Sequence, residues 1–261
     1  MKLYKFTSLE HALNVLIEGL WFSSFFKLND PMEGLFYHSL ELTPECIIDE
    51  KLKNGICSLT DYYTNPLLWA LYAENGKSVC LEIDKQELDS SGIMGDKVGY
   101  TNKIIYFKSI NKLGNNKDEI AKRLLMTKIK SWKYEHEYRY IIPIDINENG
   151  CNQRITIKSI KSILFGYGLS QLYEKLNTEF SNYKVELYYS REQLEKIKKI
   201  LDFVKDSENK INVYLTNLGV KPLKNNIELT GHIKRDIKLT KESLKNFSSL
   251  LLQLIKSFPC Q

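Results

Sequence analysis

The sequence predicts an α+β fold in which short strands and helices mix without a regular period. The chain has 261 residues, of which 43% are hydrophobic and 26% are charged, and this is enough to bury one large core or two small ones. Strand-like and helix-like segments alternate up to about residue 190 without the repeating period of a doubly wound parallel sheet. Beyond that point two amphipathic helical patterns dominate, which predicts a mainly helical C-terminal extension over residues 191–261.

Strands are predicted where branched, aromatic and other apolar residues cluster between turn signals. In chain order these segments are residues 3–6, 20–23, 56–59, 78–83, 104–107, 134–142, 154–157, 160–165 and 185–189, followed by a late hairpin of 211–215 and 227–229. Between the second and third strands, Asn29-Asp30-Pro31-Met32 predicts a turn, because the residue before a proline avoids the helical region.

Helices are predicted where apolar residues recur at helical spacing behind a capping signal. Thr7 with Glu10 forms one predicted capping box, Ser190 with Gln193 forms another, and Asn65-Pro66 is a typical N-cap and first helical residue. The predicted helices cover about residues 8–18, 65–76, 118–130, 170–180, 191–204 and 240–256.

Several protein classes do not fit this composition. No apolar run approaches the roughly 18 residues of a membrane-spanning helix, and the first residues lack the apolar core of a signal peptide, so we expect a cytoplasmic protein without a membrane partner. The five cysteines are scattered without a C-x-x-C pair, and the four histidines are dispersed. We therefore expect free thiols, no disulfide framework and no metal.

Charge is distributed unevenly along the chain. Residues 1–150 hold 18 basic and 21 acidic side chains, whereas residues 151–261 hold 19 basic and 11 acidic ones. A basic distal part can contact a polyanion such as nucleic acid or an acidic protein. The alternative is that scattered lysines only solvate the surfaces of helices.

Two polar clusters follow predicted strands. Ser23 precedes the turn at Asn29 and Asp30, whose side chains suit hydrogen bonds to a ribose or an amide; the alternative is a plain Asx turn. Ser58 and Thr60 lie at the end of a predicted strand. The aromatic residues that follow them are suited to hold a flat ring between them. The alternative is that these two hydroxyl residues only cap the end of the strand and that the aromatic residues pack in the core.

A third cluster lies in the predicted strand 134–142. Because side chains alternate along a strand, Glu135, Glu137 and Arg139 are expected on one face. Paired carboxylates beside an arginine suit acid–base chemistry or stabilisation of a cationic sugar. The alternative is a cross-strand ion-pair ladder. On either interpretation we expect Glu137 to be an exposed carboxylate that contributes little to stability.

Taken together and in this order, the motifs resemble a bacterial domain-of-unknown-function family, number 2971, over about residues 1–170. The resemblance rests on Leu3-Tyr4-Lys5-Phe6, Phe22-Ser23-Ser24, Asn29-Asp30-Pro31-Met32-Glu33, Cys57-Ser58, the segment 65–73 and the segment 132–139. That family is in turn similar to the ADP-ribosyltransferase superfamily, whose members split the nicotinamide–ribose bond of NAD on a small split mixed β-sandwich with flanking helices. The resemblance implies such a core over residues 1–190, with the basic extension packed on it.

The resemblance also implies roles for particular residues. Glu137 would be the catalytic carboxylate, and Glu135 would orient or deprotonate the acceptor. Lys5 stands where many of these transferases have histidine or arginine. The residues implied to bind NAD are Tyr4, Lys5, Ser23, Asn29, Asp30, Ser58, Thr60, Trp69, Tyr72 and Arg139.

The expected function is therefore NAD-dependent ADP-ribosyl transfer to a macromolecule, nucleic acid or protein. By analogy alone, the protein would act inside its bacterium as a toxin or phage-defence effector, with a neutralising antitoxin as its partner. One alternative is an NAD glycohydrolase, and another is a non-catalytic binding module with a structural Glu/Arg face. A more distant one is a metal-dependent nuclease using Asp30, Glu33 and Glu137.

Overall fold

The structure, a computed structural model, describes residues 1–30, 34, 36–38, 45–93, 95–103, 105–107, 117–144, 150–153, 159–178, 189–207, 210–222 and 227–258. The strands among them are β1 (Lys2–Thr7), β2 (Leu20–Ser24), β3 (Phe36–His38), β4 (Asn54–Thr60), β5 (Val79–Asp84), β6 (Gly95–Lys97), β7 (Gly99–Thr101), β8 (Ile105–Phe107), β9 (Thr127–Ile129), β10 (Glu137–Pro143), β11 (Gly150–Gln153), β12 (Ile160–Phe165), β13 (Asn212–Pro222) and β14 (Ile227–Leu239).

Helices stand between these strands. The α-helices are α1 (Leu9–Glu18), α2 (Glu45–Leu52), α3 (Pro66–Tyr72), α4 (Lys85–Asp89), α5 (Lys117–Leu125), α6 (Tyr167–Thr178), α7 (Arg191–Asp206) and α8 (Lys241–Ser257). Short 3-10 helices cover Phe25–Lys27, Glu74–Gly76 and Lys130–Glu135. The described part of the chain has no helix that is both long and apolar enough to cross a membrane.

The chain forms two compact units that are interleaved in sequence. The first unit comprises residues 1–17, 62–85 and 156–261, and the second comprises residues 18–61 and 86–155. The described residues of the predicted C-terminal extension therefore belong to the same unit as β1 and β5.

The first unit is built on a mostly antiparallel sheet. Its strand order is β1-β5-β12-β13-β14, with only the β12–β13 pair parallel. On one face Trp69 of α3 and Ala73, the residue that follows this helix, pack against Tyr4, Cys80 and Leu164 of the strands. The helices α7 and α8 pack against each other, and both carry apolar stripes that are buried.

The second unit is built on an antiparallel sheet of order β11-β2-β4-β10-β6. Two short parallel pairs, β3 with β8 and β7 with β9, lie outside that sheet. Ile47 of α2 packs with Ile120 and Leu124 of α5. This unit contains the strands β4 and β10, which carry the candidate site.

The α+β prediction is confirmed, as are most of the predicted elements, but several boundaries differ. The N-cap of α1 is Ser8 rather than Thr7: its Oγ accepts a hydrogen bond from the His11 amide at 3.2 Å, and Thr7 is the last residue of β1. The capping box of Ser190 and Gln193 is confirmed at α7.

Other predicted elements end early or lie elsewhere. The helix α3 stops at Tyr72, before the 3-10 turn, and α5 stops at Leu125 because the chain turns into β9. The late hairpin is confirmed but is longer than predicted, and residues 213–215 pair with 237–239 instead of 227–229. The strands predicted at 154–157 and 185–188 lie outside the described residues.

Candidate functional site

Two neighbouring strands of the second unit bring together carboxylate and hydroxyl residues that the sequence predicts to be part of the site. In the antiparallel pair of β4 and β10, Glu137 stands opposite Thr60 and Arg139 stands opposite Ser58. Directly opposed residues of an antiparallel pair have their side chains on the same face, and residues two apart on one strand also share a face. The four side chains therefore lie on one face of β4 and β10.

A buried ion-pair network holds the Glu137 carboxylate. Its Oε1 accepts a hydrogen bond from Arg139 Nε at 2.6 Å and its Oε2 accepts one from Arg139 Nη2 at 3.1 Å, so the guanidinium binds through two nitrogens. Lys128 Nζ donates to the same Oε2 at 3.2 Å, and the Ser58 hydroxyl donates to the carboxylate as well. Two cations and a hydroxyl thus surround one anion.

Lys128 connects the second predicted carboxylate to this network. Its Nζ lies 2.5 Å from Glu135 Oε2. Glu135 ends a 3-10 helix, and the following residue, His136, has φ 48° and ψ 46°, the left-handed region that disfavours a side chain. Because of that turn, the strand begins at Glu137 rather than at residue 134, and both carboxylates reach the same ammonium group.

Groups from neighbouring elements complete the network. Arg139 Nη1 donates to the carbonyl oxygen of Leu125, at the end of α5. The backbone N–H of Glu137 donates to the hydroxyl oxygen of Tyr100 at 2.9 Å, and Lys128 Nζ lies 4.7 Å from the centre of the Trp132 ring. The site is therefore anchored to β7, β9 and α5 as well as to the sheet.

The charges at the site shift the pKa values of its members. Burial favours the neutral carboxyl of Glu137, but Arg139, Lys128 and the hydroxyl of Ser58 outweigh burial and lower its pKa. Burial likewise opposes the charged form of Lys128, and the two glutamates reverse that effect and raise its pKa. Burial raises the pKa of Tyr100 to about 12. Glu137 and Lys128 are therefore both ionised at neutral pH.

The expectation that Glu137 is exposed is wrong. Glu135, Glu137 and Arg139 are 6%, 3% and 1% exposed. The face of β4 and β10 that carries Glu137 and Arg139 is turned inward, and Lys128 pairs there with both carboxylates. Lys128 and Tyr100 were missed by sequence reasoning. For Lys128 the one usable signal was its place in a short strand-like segment, Thr127-Lys128-Ile129, just before the carboxylates.

The remaining predicted residues of the second unit lie in β2 and the segment after it. Ser23 is half-buried and pairs with Ile56 in β4. Asn29 is exposed, whereas Asp30 is 3% exposed. Pro31, Met32 and Glu33 of the predicted turn lie outside the described residues. The prediction that Asn29 and Asp30 face a ligand stays a prediction.

Four predicted NAD-binding residues belong to the first unit. Tyr4 is buried and Lys5 is half-buried on β1, and Tyr72 is half-buried at the end of α3. Trp69 is fully buried: its indole N–H donates to the Tyr63 carbonyl at 2.7 Å, and the Phe6 ring packs edge-on against it at 5.1 Å. This burial corrects the expectation that Trp69 stacks on a ligand, because its ring faces are already covered by the core.

Among the described residues, no three His, Cys, Asp or Glu side chains are grouped closely enough to hold a metal ion. In the described part of the chain Cys57 and Cys80 are buried thiols and Cys46 is a half-buried one.

Residues 68–140 match a family described as a protein of unknown function, DUF2971. The matched segment includes Trp69 and the part of β10 that carries Glu137 and Arg139, and it leaves out the motifs at residues 3–6 and 29–33. No curated protein and no solved structure matches the chain.

Proposed function

We propose that the protein transfers ADP-ribose from NAD to a macromolecule, on an ADP-ribosyltransferase-like fold, with Glu137 as the catalytic carboxylate. The observation that carries the proposal is the register of β4 and β10, which unites Ser58 and Thr60 with Glu137 and Arg139 on one face. The sequence resemblance assigns these residues to two separate strands of one NAD site. Their shared face supports that assignment.

The chemistry requires a fixed negative charge near the sugar. When the bond between ribose C1′ and the nicotinamide nitrogen breaks, nicotinamide leaves with the bonding electrons and C1′ becomes cationic. An ionised carboxylate stabilises that cation, and an O–H or N–H acceptor then bonds to C1′ while its proton passes to a base, the role that the resemblance gives to Glu135. The lowered pKa of Glu137 keeps it ionised, and Arg139 fixes its orientation through two hydrogen bonds.

Burial of the network favours a second function, that of a non-catalytic binding module. Glu137 is 3% exposed, and Arg139 and Lys128 already neutralise much of its field, which weakens any effect on a developing cation. In such a module the network would hold β4, β9 and β10 together and recognition would occur elsewhere on the surface. The basic residues beyond 150 suit a polyanionic partner.

The deciding experiment uses NAD labelled on its adenylate phosphate. The purified protein is incubated with this NAD alone and with bacterial RNA, DNA and protein fractions, and both free products and labelled polymer are measured. Label on one fraction supports the transferase and identifies the acceptor class. Free ADP-ribose alone indicates a glycohydrolase, and unchanged NAD in every mixture overturns the enzymatic proposal in favour of the binding module.

Two variants test the assigned residue. Glu137→Gln should abolish turnover. Ser58→Ala removes one hydrogen bond to the same carboxylate and should lower turnover, while the charged members of the network stay in place. Asp118→Asn on the exposed face of α5 is the control and should retain full activity. Full activity of folded Glu137→Gln would show that Glu137 is not the catalytic residue.

A further inference from the structure

A second buried carboxylate lies in the first unit, outside the site described above. Glu82 is 2% exposed on β5, whose neighbouring residues Val79, Cys80, Leu81 and Ile83 are apolar and fully buried. Burying a carboxylate costs free energy that an apolar side chain does not. The position is therefore not explained by core packing.

Strands on both sides of β5 place hydroxyl groups next to this carboxylate. Tyr4 of β1 and Ser162 of β12 both stand opposite Glu82 in the register, so the three side chains form a row across one face of the sheet. The Tyr4 hydroxyl donates to Glu82 Oε2 at 3.4 Å, and Ser162 Oγ donates to Oε1 at 3.2 Å. The row is polar, whereas Cys80 and Leu164, two residues further along the same face, belong to the apolar core.

An exposed lysine covers one oxygen of the carboxylate. Lys2 Nζ lies 3.2 Å from Glu82 Oε1, and the side chain of Lys2 is 60% exposed while that of Glu82 is 3% exposed. A lysine side chain is long and flexible. The carboxylate consequently lies just below the surface, beneath a group that can turn away.

Aromatic rings that are only partly buried stand beside the row. The Tyr63 ring lies 5.0 Å from that of Tyr4, tilted by 46°. Tyr63 and Tyr214 both pack at the margin of the core cluster without being buried, and Lys238 Nζ lies 6.0 Å from the centre of the Tyr214 ring. Flat apolar surface and a second cation thus lie in the same unit as the carboxylate.

We propose that Glu82 binds the 2′- and 3′-hydroxyls of a ribonucleotide. A carboxylate accepts hydrogen bonds from two adjacent hydroxyls, which is how ribose is recognised in many nucleotide sites. A tyrosine ring stacks on the base, and Lys2 moves from the carboxylate to the phosphate. The inference concerns binding alone, so it goes beyond the proposed transferase and requires no chemical step.

Calorimetric titration of the full chain with ADP and with 2′-deoxy-ADP tests the proposal. The wild type should bind ADP at least about ten-fold more tightly than the deoxy compound, because the missing hydroxyl leaves the buried carboxylate with one fewer donor. In Glu82→Gln this preference should disappear. Glu10→Gln, on the exposed part of α1, is the matched control and should bind both like the wild type.

Two further variants keep the test informative if Glu82→Gln does not fold. Ser162→Ala should weaken ADP binding several-fold, because it loosens the carboxylate. Lys2→Ala should weaken binding of ADP but not of adenosine, which lacks the phosphate.

The proposal has clear contrary outcomes. Absence of ADP binding, equal affinity for ADP and its deoxy form, or equally tight binding of free ribose would overturn it. A wild type that binds ADP with the expected preference but leaves NAD unchanged would retain this inference and remove the transferase.

Discussion

Glu135 and Glu137 bind one and the same ammonium group, that of Lys128, at 2.5 and 3.2 Å. They do so although one residue ends a 3-10 helix and the other begins a strand. The left-handed backbone of His136 between them makes this possible. The carboxylate pair is therefore a product of a local turn combined with a buried cation, and each part can be tested separately.

Glu137→Gln should destabilise the protein by about 3–5 kcal/mol, because it leaves two buried cations without their shared partner. Asp118→Asn breaks the exposed pair with Lys122 on α5 and should cost less than about 0.5 kcal/mol. Urea denaturation of both variants measures the difference. Similar losses in the two variants would show that the buried network contributes no more than a surface ion pair.

Stability should depend on pH through the same network. The lowered pKa of Glu137 contributes stability that is present above the ordinary carboxyl pKa and is lost as the pH falls below it. The raised pKa values of Lys128 and Tyr100, the latter about 12, contribute stability that is present below their ordinary values and is lost as the pH rises above about 10. Denaturation midpoints across this range should fall at both ends. An acid slope that is unchanged in Glu137→Gln would contradict the assignment.

The left-handed residue His136 should respond to substitution according to backbone preference. His136→Gly adopts a positive φ without strain and should stay within about 1 kcal/mol of the wild type. His136→Val should cost about 2 kcal/mol more, since a branched side chain is strongly disfavoured there. The side chain is exposed, so lost packing does not confuse the comparison. Equal stability of the two variants would show that the turn is not strained.

Gly166, before α6, should not tolerate a side chain. A Cβ there would lie 2.0 Å from the carbonyl oxygen of Gly76, whereas a Cβ at Gly99 would meet only a carbonyl oxygen at 3.7 Å. Gly166→Ala should therefore destabilise the protein by about 3 kcal/mol, and Gly99→Ala should change it by less than about 1 kcal/mol. Thermal unfolding of both variants checks the contrast, which would be refuted by a neutral Gly166→Ala.

Local patterns predicted those parts of the fold that depend on neighbours in sequence. The apolar stripe and capping box of α7, the β12 strand and the proline start of α3 all agree with the structure. The alternation of side chains along a strand did not predict the position of Glu135, because the left-handed residue after it separates Glu135 from the strand. The pairing of residues 213–215 with 237–239 could not be predicted, since register depends on contacts between distant segments.

The sequence by itself determined an α+β chain, its main helices, and a Glu-x-Glu-x-Arg segment with a Ser-x-Thr segment far before it. Only the tertiary structure decided that these two segments face each other, that Lys128 joins the glutamates, and that the charged side chains of the cluster are buried. It also decided that Glu82 meets Tyr4 and Ser162. The physical reason is that charge compensation and burial depend on which strands become neighbours, and that choice is made by the packing of the whole unit rather than by any local segment.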